Sequence, residues 1–411
     1  MTNSLGDSLV GKKKAEGKEE HQKVAVSPPW SIPSGQTLPR TWVLLDDRPG
    51  NSTQSVGLVD CLGWPYEKKQ FTFLSSFSSK SWNVPQTISH VDLANSPSLS
   101  PPWPDLVIAA GQRTAPVAKW IKHQSHGQTR VVQLGRKGGL VMDQLDLAVT
   151  PRYCQMPPHP NRLVTTTSLN RITPDKLRKA AQEGSRVMQD APRPRIVCLV
   201  GGATPRYQLD VSIARQMGAD LERYAKETGG RVFVLTSRRT GEAAAKALKD
   251  NLGRAGQVFA WHPHENALPY LTALALADVI VVTGESEAML AEAAATDKPM
   301  CIYPLPKRPS TFIQTINPVA YIKGWLLNHS YLSVADQHVS VITTSRIKDM
   351  CTWFFARGYF QPPRRLEVLH EDLYSRGIAQ VFENPLKTQN RKAFNETFRV
   401  ADYIRSCFGC V

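Results

Sequence analysis

The sequence predicts an α/β protein of two domains, each a doubly wound parallel sheet. Three observations predict it. At 411 residues the chain exceeds one typical hydrophobic core. Short runs of β-branched and other apolar residues recur along it, the composition of strands buried on both faces. Several of these runs end in glycine, hydroxyl or charged residues and then pass into a helical pattern, as βαβ units do.

Residues 1–38 are polar, charged and aperiodic, and read as a disordered tail. Residues 39–190 read as the first domain. Trp42-Val43-Leu44-Leu45 is a strand that runs into the turn-rich Asp46-Asp47-Arg48-Pro49-Gly50-Asn51. A helix from Gln54 to Leu62 follows, closed by Gly63. Residues 64–73 offer a second strand, and 75–104 are Ser/Pro-rich and irregular. Residues 105–110 form a strand ending at Gly111-Gln112-Arg113-Thr114, with a helix over 115–123. Two more strands lie at 131–134 and 146–149. Residues 174–190 read as a helix before the Ala191-Pro192-Arg193-Pro194 boundary.

The second domain is read over 191–330. Its strands fall at 196–200, 231–235, 258–261, 279–282 and 300–303, with helices over 210–228, 241–252, 266–277 and 287–295. Val279 to Pro304 gives the clearest unit: a strand, the turn Thr283-Gly284-Glu285-Ser286, a helix with Ala288, Leu290, Ala291 and Ala294 near 3.6 periodicity, and a strand again. Residues 331–411 read as a helical extension packing back on the first domain, with Trp353, Phe354 and Phe355 as anchors or, alternatively, as bilayer contacts.

Composition narrows the class. Net charge is +15, which suits a nucleotide, an anionic headgroup or a membrane surface as partner. No zinc-finger, basic-zipper or RNA-binding signature accompanies it, so nucleic acid is not indicated. No apolar run approaches a membrane span, and Glu16, Glu19 and Glu20 argue against a transit peptide. The seven scattered cysteines do not form a disulfide framework and point to a reducing compartment. Cys407 and Cys410 make a lone CxxC, and His262 and His264 lack further ligands, so no metal is expected.

Four features of the second domain converge on a nucleotide diphosphate. Gly201-Gly202 follows a strand and lets a backbone approach a ligand, without forming GxGxxG. Arg238 and Arg239 stand at a strand's carboxyl end, where guanidinium pairs with phosphate. Ser286 sits at a helix N-terminus that favours anions. Glu292, two turns on, can accept ribose hydroxyls. Each has a plain structural alternative: a tight turn, a solvated pair, a cap, an exposed acid.

Taken in order, WVLLDDRPGNSTQSVGL, PDLVIAAGQRTAPVAKWIK, VVQLGR, DLAVTPR, VGGATPRYQL, TSRRT and VVTGESEAMLAEAAATDKP resemble the plant mitochondrial-fission (elongated mitochondria) family and its bacterial relatives, over residues 41 to about 375. The family is similar to GT-B glycosyltransferases, which implies two Rossmann-like domains facing across a cleft. The resemblance implies a donor side at Gly201, Gly202, Arg238, Arg239, Thr283, Ser286 and Glu292. It implies an acceptor side at Asn51, Gln54, Arg113 and Thr114, with Asp46. Where the family pattern leads one to expect Asp-Ser, this chain has Gly284-Glu285-Ser286. Asp46 or Asp47 is the candidate catalytic base, its alternative being a helix-capping carboxylate.

The implied function is a metal-independent transfer of sugar from a nucleotide-sugar substrate, with no cofactor, to an envelope or lipid-linked acceptor at the cytoplasmic membrane face. The alternative is a non-enzymatic adaptor recruiting a dynamin-like GTPase to the cytosolic face of the mitochondrial outer membrane.

Overall fold

A computed structural model describes residues 38–74, 86–135, 142, 144–262, 268–308, 322, 325–326, 330, 345–356, 360, 362, 364–383 and 391–410, with Trp30. Most of the predicted tail, His264, and most of 309–344 lie outside the described residues.

Two six-stranded sheets, parallel throughout, organise the chain. The first contains β1 (Thr41–Leu45), β2 (Tyr66–Gln70), β3 (Leu106–Ala110), β4 (Arg130–Leu134), β5 (Leu147–Pro151) and β6 (Arg162–Thr165), in the order β2-β1-β3-β4-β5-β6. The second contains β7 (Arg195–Val200), β8 (Arg231–Thr236), β9 (Gly256–Phe259), β10 (Val279–Thr283), β11 (Met300–Tyr303) and β12 (Gln380–Val381), in the order β12-β11-β10-β7-β8-β9. Read from its other edge, the second sheet has the 3-2-1-4-5-6 order of a Rossmann fold. Each sheet reverses its winding once, between β1 and β3 and between β7 and β10.

Alternation along the strands explains why their apolar runs are continuous. Val43 and Leu45 enter one core of the first domain while Trp42 and Leu44 enter the other. Val197 and Leu199 enter one core of the second, and Ile196, Cys198 and Val200 the opposite one. Helices cover both faces, so both sides of most strands are apolar; Gln133 of β4, whose Nε2 donates to Gly111 O at 3.1 Å, and Arg162 of β6 are buried exceptions. Helices α1 (Pro49–Leu62) and α2 (Gly111–Gln124) lie on opposite faces of the first sheet. On the second, α5 (Val211–Thr228) and α6 (Glu242–Leu252) cover one face, and α7 (Tyr270–Leu276) and α8 (Glu287–Ala294) the other.

Two segment assignments change. The predicted single helix at 174–190 is two, α3 (Pro174–Glu183) and α4 (Arg186–Gln189), broken at Gly184 with φ +65°. Leu177 and Met188 pack into the second domain's core beside Leu274 and Ala277, so this segment serves the domain after the proline boundary. The extension 331–411 also divides. After α9 (Ser345–Ala356), α10 (Leu366–Ser375) buries Leu369 and Leu373 in the second domain, and β12 extends that sheet. Further on, α11 (Glu396–Cys407) returns to the first domain, where Val400, Ala401 and Ile404 pack with Val56 and Val59 of α1. Trp30, read as tail, is 4% exposed and meets Phe408 edge-on at 5.0 Å.

Candidate functional site

In doubly wound sheets, ligands bind beyond the carboxyl ends of strands where the winding reverses. Both reversal points carry predicted residues.

At the first, β1 delivers Asp46 and Asp47. Asp46 is buried, Oδ1 accepting from Arg48 N at 3.1 Å and Oδ2 from Asn51 Nδ2 at 2.8 Å. Burial pushes its carboxyl above the ordinary Asp value, against these two bonds. Asn51 in turn fills the space over Gly111, where a Cβ would lie 2.3 Å from Asn51 Nδ2. Gly111, at φ +82°, is therefore required twice over. Asp47 is exposed and pairs with Arg113 at 2.7 Å, and the same guanidinium lies over Phe73 at 5.6 Å. Gln54 bonds to Gly50 O at 3.1 Å within its own helix. Thr114 is fully buried and donates to Ala110 O at 2.6 Å, so its hydroxyl is spent on the helix start.

At the second, three strand ends are laced together. Gly201 N donates to Thr283 Oγ1 at 2.9 Å, and Gly202 N to Glu285 Oε1 at 2.6 Å. Thr240 Oγ1 donates to Gly201 O at 2.9 Å, and the Ser237 hydroxyl also donates to Gly201 O. A Cβ on Gly201 would lie 2.0 Å from Glu285 Oε1, and one on Gly202, at φ +139°, 2.3 Å from the Arg239 carbonyl carbon. Close approach explains both glycines. Their N–H groups are taken up by this chain's own side chains.

Arg238 and Arg239 are exposed on the turn after β8, and Ser286 is the residue before α8, its hydroxyl making no capping bond. Gly201, Gly202, Arg239, Thr283 and Ser286 thus share one place, with Arg238 adjoining it. Glu292 is engaged elsewhere. Its Oε2 accepts from Tyr270 Oη at 2.7 Å, between α7 and α8, and burial pushes the carboxyl up to about 7.

Three residues of this site escaped prediction. Glu285 is 4% exposed; the Gly-Glu-Ser departure was the only signal of it. His370 of α10 makes a 2.7 Å hydrogen bond with Gly284 O, and Arg364 pairs with Glu287 at 2.5 Å. Both come from a segment some 80 positions away, and no local pattern announces them. Beside them, segments leaving β5 and β6 reach the same helices. Arg152 pairs with Asp372 at 2.5 Å, and Asn170 donates to Ala291 O at 3.3 Å. Among the described residues no group of three or more potential ligands could hold a metal.

The fold and these strand-end clusters define a two-domain, doubly wound α/β protein with a polar cluster at the winding reversal of each sheet. Residues 49–320 match the family described as mitochondrial fission ELM1, and the chain belongs to that family. It is 26% identical over 221 residues to the mitochondrial fission protein ELM1 of Arabidopsis thaliana, a match covering 48% of this chain and 51% of that protein. The chain thus spans about half the length of that relative. It is 23% identical over 297 residues to the uncharacterized protein RP120 of Rickettsia prowazekii (strain Madrid E), covering 64% and 82%. Among solved structures it is similar to MurG of Acinetobacter baumannii, at 15% identity and TM-score 0.38, over 90% of this chain and 100% of that one. It is also similar to the UDP-GlcNAc 2-epimerase of Methanocaldococcus jannaschii, at 11% identity and TM-score 0.42, over 89% and 99%. At such scores the fold assignment rests on the two sheets themselves.

Proposed function

We propose that the chain is a glycosyltransferase of the GT-B kind, moving a sugar from a nucleotide-sugar held by the second domain to an envelope or lipid-linked acceptor held by the first. The carrying observation is that both polar clusters stand at winding reversals, the β7/β10 one with the exposed Arg238 and Arg239 and the start of α8. In this reading the arginines and the N–H groups of α8 balance the departing diphosphate without a metal or cofactor. Asp46 and Asp47 are the candidate bases for the acceptor hydroxyl. Burial raises the Asp46 carboxyl, while Asp47 is exposed beside Arg113. Acceptor work at a membrane surface fits the +15 net charge, and no helix among the described residues is long and apolar enough to cross a membrane.

The test is a thermal-shift screen against UDP, GDP, CMP, ADP and dTDP, with Arg239→Ala alongside. A nucleotide at 100 times its dissociation constant stabilises by about 2.7 kcal/mol. A shift with one nucleotide, lost in the variant, supports the reading; no shift with any of them rejects it.

Family membership favours a second reading: a non-enzymatic adaptor that brings a dynamin-like GTPase to the mitochondrial surface. Retention of a dynamin-family protein on the immobilised chain, in the absence of any nucleotide shift, would select it.

A further inference from the structure

Glu285 is the buried acid at the centre of the β7/β10 cluster. Its Oε1 accepts from Gly202 N at 2.6 Å, while its Oε2 is buried with no hydrogen-bond partner. The side chain stands just before the N-cap of α8 and against Gly201, where a Cβ would meet Oε1 at 2.0 Å. Helix N-termini and converging N–H groups attract anions. Here the chain has placed an acid of its own in that position, with Oε2 carrying no hydrogen bond.

A phosphate brought to the same helix N-terminus would set two like charges side by side with little water between them. Carboxylates that share a site resolve this by keeping a proton. We propose that Glu285 takes up a proton when the second domain binds a nucleoside diphosphate, so that ligand binding and protonation are one coupled event. The inference rests on the nucleotide reading above and adds to it a residue that no relative's name suggests.

The surroundings favour a proton at this position. Burial already holds the Glu285 carboxyl above the ordinary Glu range, opposed by the Gly202 N–H, by its own backbone N–H, by the Thr283 hydroxyl and, last, by Arg239 from the turn after β8. Cys198 lies in the field of the acid from β7, and Tyr207 from the loop that follows it. Neither carries positive charge. His370, facing the turn from α10 through Gly284 O, is held below its ordinary value by burial, so it is neutral near pH 7. On α8 itself the neighbouring charge, Glu287, is paired with Arg364. Among the described residues Arg239 is the cation whose charge acts on Glu285, and a bound phosphate would claim it.

The experiment is calorimetric titration of the full chain and of Glu285→Gln with whichever of UDP, GDP, CMP, ADP and dTDP shifts the melting temperature. Each titration is run in two buffers of different ionisation enthalpy between pH 5.5 and 8.5. The native chain should take up close to one proton more than the variant. Its affinity should fall about tenfold per pH unit above the Glu285 titration, relative to a flatter profile for the variant. Equal proton uptake by both chains overturns the coupling and leaves the nucleotide site standing. If Glu285→Gln does not fold, the native profile decides: an affinity that varies with pH only as the nucleotide's own phosphate titrates overturns the proposal. Failure of all five nucleotides to bind at any pH overturns both readings.

Discussion

The Tyr270 hydroxyl donates to Glu292 Oε2 at 2.7 Å, joining α7 to α8 through a carboxyl that burial pushes up to about 7. Between pH 4.5 and 7 the unfolded chain gives up this proton while the folded chain keeps it. Folding stability therefore falls as pH rises through that window, by up to about 3 kcal/mol. Denaturant midpoints at pH 5 and 7.5 should decline less for Glu292→Gln than for the native chain. The same decline in both would show that Glu292 does not titrate there.

Gly202→Ala should destabilise the second domain by about 2–4 kcal/mol, because the added carbon meets the Arg239 backbone and φ is +139°. Its effect should be confined to the second domain. Hydrogen exchange would read it as faster opening of β7 and β8 with β1 and β3 unchanged.

Arg391 caps the far end of α8. Its Nη2 donates to Ala293 O at 2.8 Å, Nη1 to Ala294 O at 2.9 Å and Thr296 O at 2.8 Å, and Nε to Lys298 O at 2.6 Å. Arg391→Ala should cost about 3 kcal/mol by stranding these carbonyls. Lysine should rescue little, since one ammonium cannot cover four carbonyls in a fixed fork. Urea titration of the three chains checks the order.

Much of the architecture was legible because buried parallel strands are mostly apolar: Ile280-Val281-Val282 and Ile196 to Val200 allow little else. Strand β6 was not, since Arg-Leu-Val-Thr is four residues long and carries a charge, and β12 has only two residues. Within the site, the turn residues could be read because each strand's end marks its own place. Glu285 showed only as a departure from an expected Asp. Partners such as His370, Arg364 and Arg391 could not be read at all. Their roles depend on contacts 77 to 98 positions apart, which leave no periodicity behind.

Glu396 Oε2 accepts from Thr166 N at 2.5 Å and Thr167 N at 3.0 Å, fixing the start of α11 at the carboxyl end of β6. Glu396→Ala should leave these buried N–H groups unpaired at about 1–3 kcal/mol and loosen α11. Amide exchange should then rise in α1 as well as α11, since the two share one core. Exchange rising in α11 alone would mean that α1 holds its place without it.

The return of α11 also sets an order of events during synthesis. Arg405 bonds to the carbonyls of Cys61 and Leu62, and its separation from Cys61 is 344 positions. When the first sheet leaves the ribosome, the apolar side of α1 that will hold Val400 and Ile404 has no cover. It stays uncovered while the whole second sheet is translated. The first domain thus cannot finish before the second has been made, and a nascent chain stalled between them would present Val56 and Val59 to chaperones.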